Sequence, residues 1–158
     1  MNRAGSFFIA LVIAIAPCAV AADGSKEVSD RGDNPFVLIA RLHALPNAVQ
    51  EVLRLSEAAD MAVKATEPGM LVHTFDQDPN DPLGFVWTEV YADSDALIFH
   101  LENPPLQDYL TRVSPLLDSF TVELYGQVSE EAVGMLRSTG TPTLHFQNKF
   151  GYVRNLMP

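Results

Sequence analysis

The chain has 158 residues, 47% of them hydrophobic, with twenty Asp and Glu against ten Lys and Arg for a formal charge of −10. That balance excludes nucleic acid and anionic membrane surfaces as partners, since both call for clustered positive charge, and it favours neutral or cationic small molecules. About 120 residues remain for a folded region, enough for one core and too few for a second domain.

The first 21 residues read as a secretory signal peptide: Arg3 near the start, an apolar run over 7–16, and Ala19-Val20-Ala21 as the small-x-small cleavage pattern. The apolar run falls short of the roughly 20 residues needed to span a bilayer. Cleavage predicts a periplasmic or secreted protein, removes Arg3 and leaves a charge of −11. It also removes Cys18, the only cysteine, so no disulfide staples the mature chain. Residues 22–34 (ADGSKEVSDRGDN) are polar, Gly- and Asp-rich and aperiodic, which predicts a flexible linker.

Residues 36–44 (FVLIARLHA) form a first strand, with Arg41 and His43 on the face of Val37 and Ile39. His43, near the strand end and without a partner in sequence, reads as a rim residue. Asn47 is placed as N-cap of the first helix, with Gln50 at capping-box spacing. Val49, Val52, Leu53, Ala59 and Val63 supply its apolar stripe, and Pro68-Gly69 stops it. Residues 70–75 (MLVHTF) make a second strand with Leu71, His73 and Phe75 on one side. The loop 76–84 (DQDPNDPLG) is a hairpin connection; Asp76, Asp78 and Asp81 lack the calcium-loop spacing and a closing Glu.

Residues 84–91 (GFVWTEVY) alternate as a third strand, buried on both faces, with Phe85, Trp87, Glu89 and Tyr91 on one of them. Asp93 or Ser94 caps the next helix, in which Leu97, His100 and Leu101 share the apolar face. Asn103-Pro104-Pro105 interrupts it and starts a second helical piece with Leu106, Tyr109, Leu110, Val113 and Leu117 as its stripe; Pro115 marks its end. Residues 119–126 are a fourth strand, with Phe120, Val122 and Leu124 facing one way. A short helix from Ser129 to about Ser138, stopped by Gly140, and an edge strand over 143–152 carrying Leu144, Phe146 and Phe150 complete the chain.

Strand, helix, strand, strand, helix, strand is the order of a ferredoxin-like βαββαβ sandwich, an α+β fold, here with a C-terminal helix–strand extension over 128–158. The first and third strands are apolar on both faces, and one helix layer covers only one. A second copy covering the other face predicts a homodimer.

Glu67-Pro68-Gly69, Glu89-x-Tyr91, His100-Leu101, Asn103-Pro104 and Tyr109 together resemble the antibiotic biosynthesis monooxygenase family over residues 36–126. The resemblance implies a dimeric α/β barrel and either cofactor-free oxidation of quinols and polycyclic phenols or haem degradation. Tyr91 stands where many members have Trp, and Ala40 and Arg41 occupy first-strand positions where haem-degrading members use Asn. Haem degradation is therefore the third reading.

Cofactor-free oxygenation needs a base, hydrogen-bond donors for an oxyanion, and a dry aromatic cavity. His100, Tyr91 and Trp87 are the candidate catalytic residues, and His73, Phe75, Glu89 and Leu97 the candidate substrate-binding ones. Each has a structural alternative: His100 as a core histidine bonded to a carbonyl, the aromatics as core packing, Glu89 at a dimer rim. A buried Glu89 needs Arg41 or His73 as its partner. A metal site from His73, His100 and Glu89 lacks local ligand spacing, and no phosphate loop, G-x-S-x-G or C-x-x-C is present. The sequence thus predicts an exported, cofactor-independent monooxygenase acting on a quinol or phenol with dioxygen. Its alternative is a non-catalytic dimeric module that binds an apolar ligand.

Overall fold

A computed structural model describes residues 34–153; the predicted signal peptide and nearly all of the predicted linker lie outside the described residues. Five strands form one sheet in the order β2-β3-β1-β4-β5: β1 (Phe36–Ala44), β2 (Met70–Gln77), β3 (Gly84–Tyr91), β4 (Leu117–Tyr125) and β5 (Thr143–Phe146). The first four pair antiparallel, and β5 adds to β4 in parallel. The fold is ferredoxin-like, with the sheet widened from four strands to five by the C-terminal extension.

Helices α1 (Val49–Thr66), α2 (Ser94–Glu102), α3 (Pro104–Val113) and α4 (Glu130–Ser138) cover one face. Alternation puts Leu38, Ala40 and Leu42 of β1, Phe85, Trp87, Glu89 and Tyr91 of β3, and Val122 and Leu124 of β4 beneath them, all buried. The opposite face is open. Val37, Ile39, Val86 and Val90 are half-buried there, so β3 is buried on its helix face only within one chain.

Several local expectations shift. Helix α1 has Ala48 at its N-cap, not Asn47, because the turn at 45–48 closes on the Ala48 amide, which donates to Leu45 O at 2.9 Å. Leu53 is exposed, while Leu55 and Ser56 complete the buried stripe of α1. Strand β2 runs on to Gln77. Leu117 leaves the α3 stripe and opens β4, since Pro115 sits in a single 3₁₀ turn (Ser114–Leu116) that ends the helix. Strand β5 stops at Phe146, and Phe150 is 95% exposed.

Two glycines are fixed by contact. A Cβ on Gly69 would fall 2.6 Å from Ala96 Cβ, so only glycine lets the turn into β2 pass under α2. Gly126 has φ +132° and its Cβ would meet Phe36 Cβ at 2.8 Å; it turns the chain from β4 towards α4. Asp93 caps α2 by accepting the Ala96 amide at 2.9 Å. That cap, with the Asn103-Pro104 break, holds α2 to nine residues and leaves Leu97 and His100 facing the sheet.

Candidate active site

Between the sheet and the helices lies a mostly apolar cavity of about 60 Å³. By the space one water requires, that is room for roughly four waters. Leu38, Ala40 and Val122 floor it, and His73, Trp87, Glu89 and His100 line it together with Leu97 and Tyr109. A larger, open groove of about 650 Å³ lies between α1 and β2, lined by Gln50, Arg54, Asp60 and Phe75 among others. His73 and Trp87 border both spaces. Their rings stack at 4.2 Å between centroids, which makes them the partition between inside and outside.

Two carboxylate–imidazole pairs define the chemistry. The first is wholly interior: His100 Nδ1 lies 2.7 Å from Glu67 Oε2, and Asn103 donates to Glu67 Oε1 at 2.7 Å and to Thr66 Oγ1 at 3.0 Å. The break between α2 and α3 puts Asn103 there, and the end of α1 delivers Glu67. Burial pushes the Glu67 carboxyl up, but hydrogen bonds from His100 and Asn103 and the imidazole charge outweigh it and hold it below its ordinary value. Burial likewise pushes His100 down, yet the Glu67 hydrogen bond and the charges of Glu89 and Glu67 leave it raised. Both shifts run in the direction that favours an imidazolium beside a carboxylate.

The second pair reaches the surface. His73 Nδ1 is 2.8 Å from Asp60 Oδ1, and its Nε2 is 4.0 Å from Glu89 Oε1. The Asp60 side chain is 44% exposed, whereas those of His73 and Glu89 are 9% and 7% exposed. Asp60, His73 and Glu89 therefore run from solvent to the cavity wall. Glu89 is buried as the alternation implies, with Tyr91 and His73 as its partners. Arg41 is on the open face, 3.5 Å from Glu123.

Tyr91 is fully buried and donates to Glu89 Oε2 at 2.6 Å. Burial and the Glu89 charge push its phenol well above the ordinary value, so it stays a neutral donor. It does not line the cavity, and its hydroxyl serves Glu89 instead of a bound ring. Trp87 Nε1 donates to Tyr109 Oη at 3.1 Å, and Ser56 Oγ lies 3.0 Å from the same hydroxyl, so the indole N–H is already engaged. Phe75 packs on Trp87 at 4.5 Å on the groove side and is absent from the cavity wall. Leu97 lines the cavity as expected. His43 sits elsewhere, 2.7 Å from Asp118.

Sequence reasoning missed Glu67 as the partner of His100, and missed Asp60. Glu67 opens the Glu67-Pro68-Gly69 motif, and a carboxylate directly before a helix stop is a usable signal. Asp60 had none, because the i to i+13 pairing of α1 with β2 depends on register. The loop carboxylates are turn groups: Asp78 accepts the Asn80 amide at 2.8 Å and Asp81 the Leu83 amide at 3.0 Å. Among the described residues no group of three or more His, Cys, Asp or Glu is placed to hold a metal ion, His73, His100 and Glu89 included.

Residues 35–112 match the antibiotic biosynthesis monooxygenase family. An uncharacterized protein of Synechocystis sp., sll1783, is 25% identical over 85 residues, which cover 54% of this chain; the match spans only 57% of that relative's length. A solved antibiotic biosynthesis monooxygenase superposes with TM-score 0.53 at 26% identity, covering 56% of this chain and 94% of its own. PA3566 of Pseudomonas aeruginosa gives TM-score 0.54 at 25% identity, covering 59% and 93%. The sheet, the helix cover and the matched span agree: through residues 35–112 this chain belongs to the antibiotic biosynthesis monooxygenase family.

Proposed function

We propose that the protein oxidises a quinol or related phenol with dioxygen, without a cofactor, in the cavity under α2. The observation that carries this reading is one apolar cavity lined by two groups: a buried carboxylate with an oxygen to spare, Glu89 on the sheet, and an imidazole hydrogen-bonded to a separate carboxylate, His100 on α2. The raised affinity of His100 for its proton makes it a stabiliser of negative charge near neutral pH, and the role of base passes to Glu89.

The quinol hydroxyl gives its proton to Glu89 Oε1, the oxygen that Tyr91 leaves unengaged. The phenolate, held by the His100 charge, transfers one electron to dioxygen, and the ring radical and superoxide combine in a carbon–oxygen bond. The peroxide takes the proton back. Its O–O bond then breaks as the proton on that ring carbon leaves, releasing water and leaving a carbonyl. Hydroquinone and dioxygen thus give hydroxyquinone and water, with the ring as sole electron donor. A ring-sized guest enters as the half-buried Leu101, Leu106 and Leu110 turn aside.

Oxygen uptake with 1,4-naphthohydroquinone, corrected for autoxidation, tests the reading. Glu89→Gln is expected to slow turnover by about 10²–10⁴-fold, the usual worth of a positioned proton acceptor. No enzyme-dependent uptake across a panel of hydroquinones and polyphenols refutes it. The apolar wall equally suits a binding module, and saturable binding without turnover supports that second reading. Export rests on the apolar run over 7–16 and Ala19-Val20-Ala21. A homodimer rests on the open sheet face, where Val37, Ile39, Val86 and Val90 form an apolar strip.

A further inference from the structure

The family match ends at residue 112, and the solved relatives cover 56% and 59% of this chain. Yet three residues from beyond β4, Leu136, Thr139 and Thr141, line the cavity. We infer that the C-terminal extension is the specificity wall of this site: α4 and the turn after it set how long a fused-ring phenol the cavity accepts. The inference rests on the reading of the cavity as a phenol site and adds to it the element that limits guest size.

Helix α4 is fixed in place. Ser129 caps it by accepting the Ala132 amide at 3.2 Å, and the Ser129 amide donates to Ser94 Oγ at 2.9 Å, tying the start of α4 to the start of α2. Ala132, Val133 and Leu136 are its buried face. Of these only Leu136 reaches the cavity. The turn that follows is locked by its own hydroxyls: Thr139 Oγ1 donates to Leu136 O at 2.7 Å and lies 3.0 Å from Thr141 Oγ1. Thr139 is exposed and Thr141 half-buried, whereas His100, Glu89 and Trp87 are buried. Leu136 is thus as deep as Glu89 and His100, and Thr139 and Thr141 carry the extension out to the rim. Glu89 from β3 and Leu136 from α4 line the same cavity.

Trp87 is the only tryptophan in the chain and lines the cavity, so quenching of its emission reports occupancy independently of turnover. The full mature chain is titrated with two redox-stable probes, 2-naphthol with two rings and 2-hydroxyanthracene with three. Leu136→Ala is expected to shift the affinity ratio about tenfold or more towards the three-ring probe, in line with what a few methylenes decide in an apolar pocket. Val133→Ala, equally buried in α4 and not in contact with the cavity, is expected to leave the ratio unchanged. Leu136→Phe, which enlarges the same wall residue, is expected to shift the ratio the other way, towards the two-ring probe. An unchanged ratio in Leu136→Ala, or an equal shift in Val133→Ala, overturns the inference while leaving the phenol site standing. Failure of wild type to bind either probe removes both.

Discussion

Replacing Glu67 by Gln tests the interior pair most directly, because the change is isosteric and its cost depends on pH. Wild-type Glu67 holds an imidazole at 2.7 Å and an amide at 2.7 Å, and its side chain is only 2% exposed. The glutamine side chain carries no charge, and it offers Asn103 an oxygen only by turning its amide nitrogen towards His100, where two donors then meet. Breaking a buried pair by removing one partner costs about 3–5 kcal/mol, and the loss here is expected near the lower figure because His100 can shed its proton. The window follows from the shifts. The His100 value is raised, so its contribution is complete below the unfolded value of 6.5 and fades as pH climbs through the folded one. Glu67 is lowered, so its contribution is complete above the unfolded value of 4.5 and fades as pH falls through the folded one. The stability difference between wild type and Glu67→Gln should therefore be greatest between about pH 4.5 and 6.5 and shrink on either side. Urea unfolding followed by circular dichroism at several pH values measures it. A difference that is flat with pH, or an NMR titration placing His100 below 6.5 in wild type, refutes the ion-pair assignment.

Asp60→Asn should slow turnover by roughly tenfold, less than Glu89→Gln, because Asp60 reaches Glu89 only through His73. Added imidazole should restore much of the rate, and a loss without such rescue would mean that Asp60 only positions the His73 ring. Sedimentation of the mature protein should show two copies per particle, and Ile39→Asp on the open sheet face should give one, since about 800 Å² per partner is typical of such an interface. A wild type that sediments as a single copy at micromolar concentration would leave the apolar strip unexplained.

The elements were legible where one local rule decides them. Strand β1 and the α2–α3 break at Asn103-Pro104 follow from alternation and from the backbone chemistry of proline, and both fell where expected. The face of β3 is legible for the same reason: alternation alone puts Trp87, Glu89 and Tyr91 on one side. What local pattern cannot supply is who meets whom. Tyr91 and Glu89, two apart on one strand, satisfy each other, and so the tyrosine read as a donor to a guest is a donor to the carboxylate. Phe75 shares a strand face with His73, but a β2 edge position two residues further along puts it beside the groove. Leu136 could not be assigned at all, because the packing of α4 beside α2 depends on the parallel pairing of β5, a contact with no signature in a four-residue strand.

The same dependence on long-range pairing gives the two histidines different work from nearly identical chemistry. Each imidazole has a carboxylate on Nδ1 at close to the same distance, 2.7 Å for His100 and 2.8 Å for His73. Glu67 is buried and raises the affinity of His100 for its proton, so the pair favours a charge beside the cavity. The Asp60 side chain is 44% exposed, and the other nitrogen of His73 faces Glu89 across 4.0 Å, so this pair links the cavity wall to the surface. The first arrangement suits charge stabilisation; the second gives Glu89 a polar connection to solvent beside the direct return of its proton to the peroxide. The proposed oxidation draws on both pairs, and the substitutions at Glu67 and Asp60 should impair it in different ways: one through the pH profile, the other through sensitivity to buffer.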